Sequence, residues 1–348
     1  MIISSTSINE AKEWLKTHQS KTAQQKIKQF AGKIEFQDEK VVKKVATLIK
    51  AGMDPNAKLS GFVYPTTLSG RFTHLPKTLP LIYRATIDGQ TDLVRVLLEA
   101  NADVEVEDNN GKTALFVACQ RNEVDIVDLL LEHKADINHR DSEGNTPLHA
   151  ACAEGNISIA QKLIKCGASP VCETTGHFQT PLLVALYKEH FKLVDQLLKL
   201  PAALEYVKNN SSILMTAVAV EKENPNAEVF EKYAIKFIDL GADPHSIINE
   251  TPVFTPWLSA ASTGKTLLIK HILDKYPDSL NKQAGKRERT ALQMAARWGQ
   301  FDTVQFLLKR GADTTIKDIH GCTAKDLAER EGNRDIARLI ARIKPITK

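Results

Sequence analysis

The strongest constraint on this chain is a period. The segment Gly144-Asn145-Thr146-Pro147-Leu148-His149-Ala150-Ala151-Cys152-Ala153-Glu154-Gly155, followed by Ile157 to Ile164 and then Gly167-Ala168-Ser169, returns in weaker forms along the sequence. With Pro147 as the marker, its equivalents fall at Leu81, Ala114, Pro181, Ile213, Pro256, Ala291 and Ala324, and the successive gaps are 33, 33, 34, 32, 43, 35 and 33 residues. Seven intervals of nearly one length require a chain built from one repeated supersecondary unit. A single unit of that size cannot bury its own apolar face, so stacking of neighbours must supply the core.

The recurring slots have physical reasons. Thr146 is a good helix N-cap, because its hydroxyl accepts a backbone N–H that the first turn leaves free. Pro147 follows at the first helical position, where its missing N–H loses nothing. Ala150 and Ala151 are small and let neighbouring inner helices approach closely. A second helix reads as an apolar stripe: Val124, Ile126, Val127, Leu129, Leu130 and Leu131 in one unit, Val304, Phe306, Leu307 and Leu308 in another. Gly167, Gly241 and Gly311 close that helix in a left-handed position that a Cβ would strain. Ala-Asp pairs then open a hairpin at Ala102-Asp103, Ala135-Asp136, Ala242-Asp243 and Ala312-Asp313.

Thr-Pro-Leu-His-x-Ala, the Gly eight residues after the Pro and the closing Gly-Ala-Asp-like turn resemble the ankyrin-repeat family, whose period is about 33. The resemblance implies an all-α fold, a solenoid of stacked helix pairs with short β-hairpin fingers and helical caps. It covers residues 32–345, about eight repeats plus a degenerate first one visible in Val41 to Ile49 and the turn Ala51-Gly52-Met53-Asp54-Pro55-Asn56. Residues 1–31, with Trp14, Leu15, Ile27 and Phe30 on one apolar side, are expected to form an N-terminal helical cap. The last unit, polar outside with Arg330, Arg334, Arg338 and Arg342, is expected to cap the other end.

The pattern departs from the family in places. Residues 57–75 are rich in aromatics and turn formers and read as an enlarged finger. Such a loop either binds a partner or folds back, through Phe62, Tyr64 and Phe72, over a weak first repeat. A second insertion near 221–228, Glu221-Lys222-Glu223-Asn224-Pro225-Asn226-Ala227, is polar enough to read as a tolerated surface bulge. Leu200 to Leu204 replaces one Gly-Ala-Asp turn and Pro277 to Asn281 another.

Catalytic signatures fail on inspection. Ser262-Thr263-Gly264-Lys265-Thr266 imitates a phosphate-binding loop, but the first required Gly is Ser259, and Gly264 belongs to the end of an inner helix. Cys166, Cys172 and His177 lack the paired spacing of a zinc site. Cys119 and Cys152 share one inner-helix slot and read as small core residues. The repeats use nearly the whole chain, so no enzyme activity, catalytic residue, metal or cofactor is expected. The five cysteines suit free thiols in a reducing, cytoplasmic compartment. The first residues show no secretory pattern, and no apolar run reaches membrane-spanning length.

In ankyrin proteins the concave side, made of finger tips and inner helices, is the usual partner surface. The slots on that side imply Trp298, Arg297, Arg287, Arg289, Phe254, Tyr187, Lys188, Arg121, Lys112 and Arg330 as partner-binding residues. Aromatic and Arg side chains dominate interface hot spots. Trp298 amid Arg287, Arg289 and Arg297 suits a protein partner with an acidic surface. The charge is uneven: residues 1–50 are net +5, 51–280 net −8 and 281–348 net +7. The expectation is a monomeric, non-catalytic protein-binding adaptor. The alternatives are nucleic-acid or anionic-surface binding by the basic ends, disfavoured because no groove-reading element is seen, or a bacterial effector acting on host proteins in the host cytosol.

Overall fold

The computed structural model describes residues 39–50, 54–56, 58–60, 78–175, 179–221, 223–246 and 255–343. The expected cap at 1–31, most of the 57–75 finger, His177 and Phe254 lie outside the described residues. Helices begin at the marker slots, as the period demands. The first is α1 (Glu39–Lys50), followed by strands β1 (Lys58–Ser60) and β2 (Thr78–Pro80), then α2 (Leu81–Ile87) and α3 (Thr91–Glu99). Next come α4 (Ala114–Arg121), α5 (Val124–Glu132), α6 (Pro147–Glu154), α7 (Ile157–Lys165), α8 (Pro181–Tyr187) and α9 (Phe191–Leu197). The series continues with α10 (Pro201–Asn209), α11 (Ser212–Val218), α12 (Ala227–Asp239), α13 (Pro256–Thr263) and α14 (Thr266–Lys275). It ends with α15 (Ala291–Arg297), α16 (Phe301–Lys309), α17 (Ala324–Arg330) and α18 (Arg334–Ala341). Extended structure among the described residues is confined to the antiparallel pair β1–β2, with Leu59 opposite Leu79, and two isolated bridges.

The chain divides into two compact units, Met1–Val194 and Asp195–Lys348. In the first, inner helices α2, α4, α6 and α8 pack in series, and α1, α3, α5 and α7 form the outer row. In the second, α11, α13, α15 and α17 are the inner row and α12, α14, α16 and α18 the outer one. Stacking removes Leu115, Ile126, Leu130 and Leu148 from water completely in the first unit, and Trp257, Phe237 and Leu268 in the second. Each such aliphatic side chain contributes about 2 kcal/mol relative to exposure. Cys119 and Cys152 are fully buried among them, and burial pushes both thiols up, so they are inert core groups.

The inner helices start where the sequence places a cap. Thr113, Thr180, Thr255, Thr290 and Thr323 each accept the N–H three residues on. In α6 and α15 the cap is closed by the third helical residue. His149 Nδ1 accepts the Thr146 N–H at 3.0 Å, and Gln293 Oε1 accepts that of Thr290 at 2.8 Å. Their other ends donate to the next finger, His149 to the Gln179 carbonyl and Gln293 to that of Cys322. The far ends of the inner helices are closed by the following repeat. Asn156 donates to Cys119 O, His190 to Ala153 O, Gln300 to Ser262 O and Asn333 to Ala296 O, each across 37 or 38 residues. Carbonyls that a helix leaves unpaired are thereby satisfied.

Two departures from the repeat have structure of their own. The worn turn at 200–204 is the start of α10, with Pro201 in its first turn and Ala203, Tyr206 and Val207 buried at helical spacing. Of the 221–228 insertion, residues 221 and 223–226 lie between α11 and α12, and the Asn224 N–H donates to the Glu221 carbonyl at 3.2 Å.

Candidate partner-binding surface

Fingers and inner-helix ends carry the exposed side chains. At three finger tips an Asp organises the turn. Asp108 accepts the N–H groups of Asn110 and Lys112, Asp141 those of Glu143 and Asn145, and Asp318 those of His320 and Cys322. These aspartates were missed as a motif, although Asp108, Asp141 and Asp318 each stand three residues before a hairpin Gly.

Asp318 accounts for the main revision to the sequence-based site. Arg289, expected at the surface, is buried at 4% exposure and donates from Nε to Asp318 Oδ2 at 3.0 Å. Burial alone would raise the Asp318 pKa. Hydrogen bonds from the Cys322 and His320 N–H groups and from Arg289 outweigh it and hold the carboxyl below its ordinary value. Arg289 therefore joins two adjacent fingers, and from this buried position it also lines the cleft beside the finger.

The described residues of the expected set that lie in the second unit fall on two different surfaces. Lys286 and Arg287 are exposed on the finger before α15, and Arg297 lies half-buried in its last turn. With Leu258 and Met294 as an apolar floor, these residues line a cleft of about 310 Å³. Trp298, 55% exposed, caps α15 and lines a separate cleft of about 280 Å³ with Ser262, Thr263 and Gln300. The far wall of that cleft carries Glu221 and Glu223, from the insertion read in the sequence as a bland bulge. The guanidinium of Arg297 lies 5.8 Å from the indole centroid and is bound through Nε to Glu331 Oε1 at 3.1 Å. Arg330 is exposed at the end of α17.

In the first unit Tyr187 is 69% exposed at the end of α8, with the Lys188 ammonium 5.8 Å from its ring centroid. Lys112 stands over the Phe116 ring at 4.9 Å, and Arg121 is half-buried at the end of α4. Lys265 is buried at 3% exposure, and Gly264 before it closes α13 in the left-handed region. Gly264 thus ends α13 while Lys265 caps α14, and the buried lysine is not presented as a phosphate-binding loop requires. Among the described residues no three His, Cys, Asp or Glu side chains are placed to hold a metal ion, and no helix is long and apolar enough to cross a membrane.

Paired short helices in register, with clefts between finger and inner-helix ends, define a helical-repeat binding scaffold. The sequence profile described as ankyrin repeats matches residues 81–174, 214–318 and 257–347, more than half of the chain, which belongs to that family. Among its relatives, ankyrin repeat and SAM domain-containing protein 6 of Rattus norvegicus is 35% identical over 91 residues, 26% of this chain and 10% of that protein. The NAD-capped RNA hydrolase NUDT12 of Homo sapiens is 36% identical over 92 residues, 26% of this chain and 20% of that protein. Cyclin-dependent kinase 4 inhibitor B of Rattus norvegicus is 34% identical over 107 residues, 30% of this chain and 78% of the inhibitor. The chain thus spans a small part of the first two and most of the third. Ankyrin repeats are protein-interaction modules in general.

Proposed function

We propose that this chain is a non-catalytic binding module whose second unit takes an acidic segment of a partner protein. The observation that carries the reading is the cleft of about 310 Å³ in which Lys286, Arg287 and Arg297 surround Leu258 and Met294. Cationic walls over an apolar floor suit a short peptide that brings a carboxylate beside an apolar side chain. Arg forks pair with carboxylates in two-point geometry, and the floor supplies the water exclusion that makes such pairs count. The similarity to a kinase inhibitor built of the same repeats supports a role in holding another protein. The similarity to the hydrolase covers only 20% of that enzyme and lends no catalytic role.

Selection of a random twelve-residue peptide library against the whole chain tests this reading. Enriched peptides are expected to carry Asp or Glu near a Leu or Phe, and to be lost when Lys286 and Arg287 are both changed to Glu. Their affinity should fall gently with salt. Tight binding of a labelled DNA duplex that collapses by about a thousandfold or more between 50 and 200 mM salt would instead place the function with nucleic acid.

A further inference from the structure

We infer that the Trp298 cleft is a receptor for a cationic side chain, Lys or Arg, on the same partner segment. The inference rests on the peptide-binding reading above and extends it to the partner's sequence. Three groups define the cleft's chemistry. The first is the indole of Trp298, 55% exposed, whose π system attracts a cation and already has the Arg297 guanidinium 5.8 Å from its centroid. The second is the pair Glu221 and Glu223, both exposed, neither in an ion pair among the described residues. The third is a polar floor whose hydroxyl donors are already used. The Ser262 and Thr263 hydroxyls both donate to the Ser259 carbonyl, at 2.9 and 2.8 Å, and the Gln300 amide donates to Ser262 O at 2.9 Å. Apart from the indole N–H and the second N–H of the Gln300 amide, the cleft therefore offers lone pairs, carboxylates and a π face. Among the described residues Arg297 lies against the indole, and its contact with Glu331 offsets its charge.

A bare divalent ion would gain little here, because two exposed carboxylates leave most of its oxygen ligands to water. A Lys or Arg side chain needs only one carboxylate and a surface for its stem. Lys286 and Arg287 precede α15 and Trp298 caps its other end, and the seven residues of the helix span about 10 Å. An extended peptide rises about 3.3 Å per residue, so an acidic and a basic residue some three positions apart would reach both.

The test uses the same twelve-residue library on the wild-type chain and on a Glu221→Gln, Glu223→Gln double variant. Both glutamates are exposed turn residues, so the variant is expected to keep the wild-type melting profile. If its helicity falls, Glu223→Gln alone serves. Wild-type selections are expected to show Lys or Arg about three residues from Asp or Glu, and the variant to retain only the acidic preference. A consensus peptide should lose about tenfold in affinity on either the double variant or replacement of its own basic residue by Gln. Combining both changes should add nothing further. Absence of a basic preference, or a basic residue whose removal weakens binding equally on both proteins, overturns the inference and leaves the acidic-segment reading intact. Enrichment of basic peptides without acidic residues supports the Trp298 cleft and sinks the reading of the Arg287 cleft. Failure of any peptide to bind overturns both.

Discussion

Arg289 and Trp298, neighbours in the same repeat and expected on one surface, have opposite environments. Arg289 is locked against Asp318, whose side chain has no exposure. Arg289→Ala leaves that carboxylate buried without its cation and is expected to cost about 3 kcal/mol by urea unfolding, the lower end for a broken buried pair because two backbone N–H groups remain. The partner-binding role expected of this Arg is thus joined by a structural one. His149 makes a second prediction. Its ring accepts from Thr146 N–H and so carries its proton on Nε2, toward Gln179 O. Burial lowers its pKa below the ordinary 6.5. On acidification the unfolded chain therefore takes up this proton first. The stability associated with the neutral ring is intact above about pH 6.5 and is lost as pH falls through that value and below. Gln293 fills the same slot with a group that does not titrate in this range, so His149→Gln should keep both hydrogen bonds and flatten the decline between pH 7 and 5. A third concerns Gly155, at φ 72°, where an added Cβ would come within 2.6 Å of His190 Nδ1. Gly155→Ala should lower stability by at least the 1–2 kcal/mol of a left-handed non-glycine residue, and thermal melting would measure it.

At the scale of elements, the period made most of the fold readable. The N-cap Thr, the Pro or Ala after it and the αL residue at the helix end are local, repeated signals, and each marker slot opens a helix in the structure. The helix α10 was missed because its apolar residues Ala203, Tyr206 and Val207 stand where the family carries a Gly-Ala-Asp turn. The site was less readable. Glu221, Ser262 and Trp298 line one cleft although the chain separates them widely, and Arg289 meets Asp318 across 29 residues. No local pattern reports such meetings, whereas an exposed aromatic in a helix-end slot does report itself. Trp298→Ala is accordingly expected to leave the melting temperature unchanged and to weaken a selected peptide by roughly 2 kcal/mol in fluorescence polarisation. Unfolding of the last repeats in this variant would show the indole to be core.

At the scale of the whole molecule, each repeat touches only its neighbours, so damage should stay local. Arg289→Ala is expected to raise amide hydrogen exchange in peptides from 282–343 while those from 114–165 keep their protection; a uniform rise would reveal stronger coupling along the stack. The bonds that close the inner helices run in one direction. Asn156, His190 and Asn333 each serve the repeat before their own, across 37 residues. During synthesis, at about 5–20 residues per second, the donor for each helix end emerges roughly two to seven seconds after its acceptor. The growing chain would then carry one unfinished repeat at its leading edge, with the frayed end shifting forward each time a new Asn, His or Gln leaves the ribosome. Protease digestion of stalled nascent chains should find cleavage concentrated in that newest unit, and cleavage spread evenly over all earlier units would show that the closing bonds do not pace folding.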